Sequence, residues 1–215
     1  MEVINALKHL SLNASDDIIL TIAGPDGKTV VRVLTLLKKS LNLNNWLRYL
    51  EPCLSIISNM LASSNAHVSQ IILRNTYISL LDICDKLITF SIKNLELDHI
   101  TDVLWSLSNI AADSEEYIEM LLRHPIMHQV VKLGLKTGVN QTSIDIRGEV
   151  IYIISNIVLC GSVHQAQKLT QNFPQTTEIL KNGLQLESNL KRFTLPERFV
   201  LTSFQTIEKL LELDD

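Results

Sequence analysis

In two of the recurring segments of this sequence an asparagine follows an aromatic residue by four positions, and this is its most informative polar pattern. Trp105 precedes Asn109, and Tyr152 precedes Asn156. Residues four apart lie on one face of a helix. An Asn amide can bind the peptide groups of an extended chain, and an indole can hold a Lys or Arg cation with about 0.5–2 kcal/mol. The pattern predicts a peptide-binding face.

Carboxylates accompany both aromatic residues. Asp102 and Glu149 each lie three residues before one and could pair with a bound cation. The complete set of predicted peptide-binding residues is Asn59, Asp102, Trp105, Asn109, Glu149, Tyr152 and Asn156. A structural interpretation stays open beside this one. Asn near a helix end often bonds locally, and Trp at helical spacing is often part of the core.

Patterns that could support catalysis are incomplete. Residues 18–29 imitate a strand and phosphate loop, but two residues separate Gly24 from Gly27 where a P-loop requires four. His124 and His128 have the spacing of a helical metal pair, yet a catalytic zinc needs a third ligand that the sequence does not offer. No serine lies on a glycine-flanked elbow. We predict that the protein is not an enzyme and needs no metal or cofactor.

The composition favours packed helices. Hydrophobic residues make up 46% of the 215 residues, with 5% aromatics, 7 Gly and 5 Pro. A net charge of -4 does not favour nucleic acid as a partner. The apolar stretches are too polar or too short for the roughly 20 residues of a membrane span. Cys53, Cys84 and Cys160 are predicted to be buried thiols in a reducing compartment, the cytoplasm or nucleus.

The sequence repeats itself with a period near 50 residues. Related segments end at Asn13, Asn59, Asn109 and Asn156, at intervals of 46, 50 and 47 residues. A second marker opens a new helical pattern at residues 24–25, 74–75, 124–125 and 173–174. Two markers in step indicate tandem units of a short, a medium and a long helix. The predicted units within a single domain, 1–215, are 1–13 (partial), 14–62, 63–112, 113–161 and 162–215.

Individual helices can be placed within these units. One unit predicts helices at Glu115–Arg123, Pro125–Lys136 and Ile144–Cys160. A closing helix should run from Pro196 to about Leu213. Its predicted apolar side consists of Phe199, Val200, Phe204, Ile207 and Leu211.

Residues 105–112 (WSLSNIAA) and 147–157 (RGEVIYIISNI) resemble the third-helix motif of armadillo repeats in the importin-α family. Gln165 and Gln167, followed by Phe173-Pro174, are similar to its helix openings. The resemblance, best to the C-terminal half of that family, implies an all-α, right-handed armadillo superhelical solenoid of about four and a half three-helix repeats. It also implies a protein-interaction module that binds an extended, basic, nuclear-localisation-signal-like polypeptide in a concave groove, as in nuclear import adaptors.

The sequence departs from the family pattern at two aromatic positions, which are His9 and Ser55. A basic N-terminal segment like that of importin-α is also not found before the first helix. These departures favour an alternative, in which the chain is a structural armadillo subunit of a larger multi-subunit assembly with a degenerate groove.

Overall fold

The computed structural model of the protein describes residues 2–41, 47–63, 65–75, 78–94, 97–136, 138, 140–189 and 197–213. All regular secondary structure in these ranges is helical, as the sequence predicts. The helices are α1 (Glu2–Ser11), α2 (Asp16–Ala23), α3 (Lys28–Ser40), α4 (Leu47–Leu61), α5 (Ala66–Leu73), α6 (Leu80–Asn94), α7 (Asp98–Asp113), α8 (Glu115–Arg123), α9 (Ile126–Gly134), α10 (Gln141–Cys160), α11 (Val163–Asn172), α12 (Thr176–Asn189) and α13 (Glu197–Glu212).

The helices follow α1 in four successive triplets. The first helices of the triplets are α2, α5, α8 and α11; the second are α3, α6, α9 and α12; the third are α4, α7, α10 and α13. Each first helix has only 8 to 10 residues, whereas each third helix has 15 to 20. Helix α1 occupies the position of a third helix that precedes the first triplet.

Contacts divide the chain into two compact units, Met1–Asn109 (unit 1) and Ile110–Asp215 (unit 2). In unit 1, α2 contacts α5, α3 contacts α6 and α1 contacts α4. In unit 2, α8 contacts α11, α9 contacts α12 and α10 contacts α13. Within each unit, first helices therefore stack on first helices, second helices on second helices and third helices on third helices. The single domain 1–215 and its repeat boundaries stay predictions.

Polar residues set where several helices begin. Helix α8 has its predicted bounds, but α10 begins at Gln141, three residues before the predicted start. The reason is Asn140, whose side chain accepts a hydrogen bond from the Ser143 backbone N–H at 2.9 Å. Ser162 opens α11 as part of a capping box with Gln165.

The segment that imitates a phosphate loop is a turn between α2 and α3. The backbone N–H of Gly27 donates to the Gly24 carbonyl at 3.1 Å. Gly27 has a φ of 65°, and a Cβ there would lie 2.6 Å from Ile71 Cγ2. The turn needs glycine for its backbone conformation and for the close approach of α5.

The predicted apolar side of α13 is wrong in part. Phe204 and Leu211 are 59% and 64% exposed, whereas Ser203 and Thr206 are fully buried. Helices α10 and α12 pack against the side of α13 that carries small hydroxyl residues. Thr206 Oγ1 donates to Ser155 Oγ on α10 at 2.8 Å, which satisfies both groups. Pro196 lies outside the described residues.

The prediction of three buried cysteines is also wrong in part. Cys53 and Cys84 are buried, but Cys160 is exposed. It is the last residue of α10, directly before the Gly161 cap, where the helix leaves the core.

A buried arginine holds the α9–α10 connection. Arg147 is only 5% exposed, and its Nη1 donates to the carbonyls of Lys136 at 2.8 Å and Gly138 at 2.7 Å. Burial lowers the pKa of this guanidinium. The energy of the two charge-assisted hydrogen bonds offsets part of the desolvation cost.

Arg147→Ala should lower the free energy of unfolding by about 1.5–3 kcal/mol in a urea titration, because two loop carbonyls lose a charged donor. The control is Arg123→Ala, which removes a 74% exposed side chain paired with Glu119 and should cost less than about 1 kcal/mol. Equal losses in the two variants would contradict this role for Arg147.

Candidate functional site

Helices α4 and α7 place their polar faces side by side in unit 1. The buried Oγ atoms of Ser58 and Ser106 are hydrogen-bonded to each other. Ser106 Oγ also bonds the Asp102 carbonyl at 3.0 Å. Because serine side chains are small, the two helix backbones can approach closely at this point. We call the adjoining surface, formed by Glu51, Ser55, Asn59, Asp102, Trp105 and Asn109, the α4–α7 face.

The two predicted asparagines of this face bond to the preceding third helix. Asn59 Nδ2 donates to Ser11 Oγ on α1 at 3.0 Å. Asn109 Nδ2 donates to the Ser58 carbonyl on α4 at 3.2 Å. Both side chains are half-buried. Each amide has a second N–H and a carbonyl oxygen, so these internal bonds orient the amide without using all of its capacity.

Trp105 lies at the surface beside these amides. Its side chain is 37% exposed, although the remainder of α7 contributes buried Val103, Leu104 and Leu107 to the core. An indole that is 37% exposed is partly packed against its surroundings and still has surface that a ligand can contact. Because α7 is helical over both residues, Trp105 and Asn109 lie on the same side of it; their role in binding stays a prediction.

Asp102 is a half-buried carboxylate one turn before Trp105. Burial raises its pKa above the usual value of 3.8; His99 and Lys8 oppose this shift, and Glu51 adds to it. No side chain within the described ranges donates a hydrogen bond to this carboxylate. A desolvated anion without a donor is favourably paired with an incoming cation.

Helix α1 and the start of α4 also contribute to this face, which the sequence did not predict. The Lys8 ammonium forms an ion pair with Glu51, whose Oε1 also accepts a hydrogen bond from Ser55 Oγ at 3.2 Å. Ser55 occupies the predicted aromatic position of α4. At this position α4 therefore has the Ser55 hydroxyl beside the Lys8–Glu51 ion pair, whereas α7 has the indole of Trp105. The i, i+4 spacing of Glu51 and Ser55 was visible in the sequence, but the contact with Lys8 was not.

The remaining predicted residues belong to unit 2. Glu149, Tyr152 and Asn156 are half-buried and lie three to four residues apart on α10. This spacing places them along one side of the helix. Their role in binding, and the continuation of the α4–α7 face to Asn156, stay predictions.

The histidine and cysteine side chains that could take part in catalysis contact neighbouring residues or are buried. His124 Nδ1 accepts a hydrogen bond from the Ile126 backbone N–H at 3.2 Å, and His128 contacts Phe173 edge-to-face at 5.1 Å. Burial raises the pKa of Cys53 to about 11 and that of Cys84 to about 12, which suppresses their reactive thiolate forms. Within the described ranges no group of three or more His, Cys, Asp or Glu residues could hold a metal ion, and none of the described helices has the length and apolarity of a membrane span.

No family model and no curated protein sequence matches the chain. Solved structures do match. A designed armadillo repeat protein in complex with peptide (KR)4 has a TM-score of 0.67 and 16% identity, covering 97% of this chain and 74% of that one. Computationally designed armadillo repeat proteins for modular peptide recognition match with a TM-score of 0.66 and 16% identity, over 96% and 73% of the respective chains. The chain therefore has an armadillo-repeat fold, as the sequence predicts; nothing in the matches is specific to importin-α.

Asn109→Ala should lower the free energy of unfolding by about 1 kcal/mol, because it leaves the Ser58 carbonyl without the amide donor. Urea unfolding followed by circular dichroism measures the loss. Asn5→Ala, which removes an exposed amide on α1, is the control and should be nearly neutral. A loss no greater than that of the control would show that the internal bond does not stabilise unit 1.

Asp102→Asn should be more stable than the wild type at pH 7. Because the pKa of Asp102 is raised in the folded chain, folding disfavours its charged form, and stability is lost as the pH rises from the unfolded-state pKa to the folded-state pKa. The gain should disappear at pH 3, where the carboxyl is protonated in both states. A gain of equal size at both pH values would contradict the assignment.

Proposed function

We propose that the chain is a binding module that holds an extended segment of another polypeptide on the α4–α7 face. A lysine or arginine of that segment lies against Trp105, and its cationic head pairs with Asp102. The observation that carries this proposal is the exposed indole beside a half-buried carboxylate that has no donor among the described side chains.

The asparagines contribute the main-chain part of recognition. Asn59 and Asn109 keep an N–H and an acceptor oxygen after bonding within the chain. A peptide backbone in extended form presents N–H and carbonyl groups that these atoms can bind. Main-chain contacts give affinity without sequence preference, so specificity comes from the side-chain contacts at Trp105 and Asp102.

The solved structures support the same class of function. One designed armadillo protein is in complex with peptide (KR)4, and others are designed for modular peptide recognition. The finer proposal, a nuclear import adaptor that works in the cytoplasm and nucleus on a nuclear-localisation-signal-like segment, rests on the resemblance of residues 105–112 and 147–157 to the importin-α family.

One observation favours a second candidate function, a structural subunit of a larger assembly. Asn59 and Asn109 each bond to the preceding helix, as they would if their role were only to hold the stack together. In that case the chain binds a partner protein through other surfaces and is indifferent to short cationic peptides.

Trp105→Ala should weaken binding of a fluorescent eight-residue alanine/serine peptide with one central lysine about tenfold, which corresponds to about 1.4 kcal/mol. Asp102→Asn should weaken it similarly, and this loss should shrink at high salt. Fluorescence anisotropy measures both affinities, with circular dichroism as the check on folding.

The control is Phe204→Ala, which removes another exposed aromatic side chain, on α13 of unit 2. It should leave the affinity unchanged, which separates the α4–α7 face from general adsorption of the peptide to exposed aromatic side chains. Unchanged affinity in both Trp105→Ala and Asp102→Asn would remove the binding proposal and favour the structural one.

A further inference from the structure

The charges of the α4–α7 face are divided between its two helices. The described charged groups that influence the Asp102 carboxylate of α7 are His99 on the same helix, Glu51 on α4 and Lys8 on α1. Of these, Glu51 already has a cation of its own, because Lys8 is paired with it. Asp102 on α7 is therefore the carboxylate of the face that a cation of the ligand can still pair with.

The α4 side carries the opposite excess. Arg48 is exposed and lies one turn before Glu51. Lys8 of α1 neutralises Glu51, and the side chains of Lys8 and Glu51 are 32% and 40% exposed, respectively. Arg48 makes no ion pair with any described residue. It also lies in the first turn of α4, where a basic side chain opposes the helix dipole, so its position does not stabilise the helix.

We propose, on the basis of the proposed function, that unit 1 selects a mixed-charge segment rather than a wholly basic one. One cationic residue lies over Trp105 and Asp102, and an acidic residue lies over the α4 side, near Arg48. Lys8 already pairs with Glu51, so this carboxylate of α4 is not available to a second cation of the ligand. Lys8 and Arg48 would repel such a cation because they carry the same charge.

Geometry sets the spacing of the two ligand residues. Packed helix axes lie about 8–10 Å apart, and an extended chain advances about 3.3 Å per residue. The two charged residues of the ligand are therefore at least about three positions apart. Three peptides of equal length with this spacing test the charge preference, with Lys-Ser-Ser-Lys, Lys-Ser-Ser-Glu or Glu-Ser-Ser-Lys at the centre of the same alanine/serine sequence.

The wild type should bind one of the two mixed-charge peptides at least about fivefold more tightly than the two-lysine peptide, from the scale of like-charge repulsion at a protein surface. The mixed-charge peptide that binds more tightly shows in which direction the peptide runs across the α4–α7 face. The double variant K8M/R48M removes both cations, keeps apolar stems and leaves Glu51 free, so it should prefer the two-lysine peptide.

The matched control is Lys28→Met. It removes a cation of unit 1 that pairs with Asp26 away from the face, and it should keep the wild-type preference. If the wild type binds the two-lysine peptide as tightly as both mixed peptides, or if K8M/R48M keeps the wild-type ranking, the charge division does not select the ligand. Binding that still falls in Trp105→Ala would then leave the proposed function intact, whereas peptides that bind equally to wild type and Trp105→Ala would overturn both.

Discussion

Contact between successive third helices through small hydroxyl side chains is the constraint on which the rest of the structure depends. In unit 1 it joins Ser58 to Ser106, and in unit 2 it joins Ser155 to Thr206. Small side chains let the backbones approach, and each of these four hydroxyls has a hydrogen-bond partner across the contact. The hydrogen bonds also set the register of one helix against the next. A register shift would move the whole polar face of a third helix.

The same register gives the asparagines a structural role beside the proposed binding role. Asn59 and Asn109 each use one N–H to bond the preceding helix, which leaves the second N–H and the carbonyl oxygen of each amide for another partner. In the proposed function, stacking and peptide recognition are therefore linked through one side chain. Trp105 and Asp102 differ from these residues. Burial raises the pKa of Asp102, so its charged form does not favour folding, and the indole leaves 37% of its surface exposed. Groups that do not favour the folded state are expected where a protein binds a ligand.

Sequence patterns located much of the candidate site but not its internal partners. The spacing of Asp102, Trp105 and Asn109 places them on one helix side, because helical periodicity is a local property. Lys8 and Glu51 were not found, since 43 residues separate them and only packing of α1 against α4 joins them. The apolar side of α13 was assigned incorrectly for a related reason. Hydrophobicity favoured Phe204 and Leu211, whereas α10 and α12 can approach closely only the side with Ser203 and Thr206.

By itself, the sequence determined the helical class, the period near 50 residues and the positions of the amide, indole and carboxylate groups on their helices. All of these follow from spacing along the chain, which sets helix faces and repeat length without any knowledge of neighbours. Tertiary structure alone decided which carboxylate is already paired, which asparagine atoms remain available and which side of the last helix is buried. Those properties depend on contacts between helices, whose partners are far apart in the chain and are chosen by shape and hydrogen bonding together.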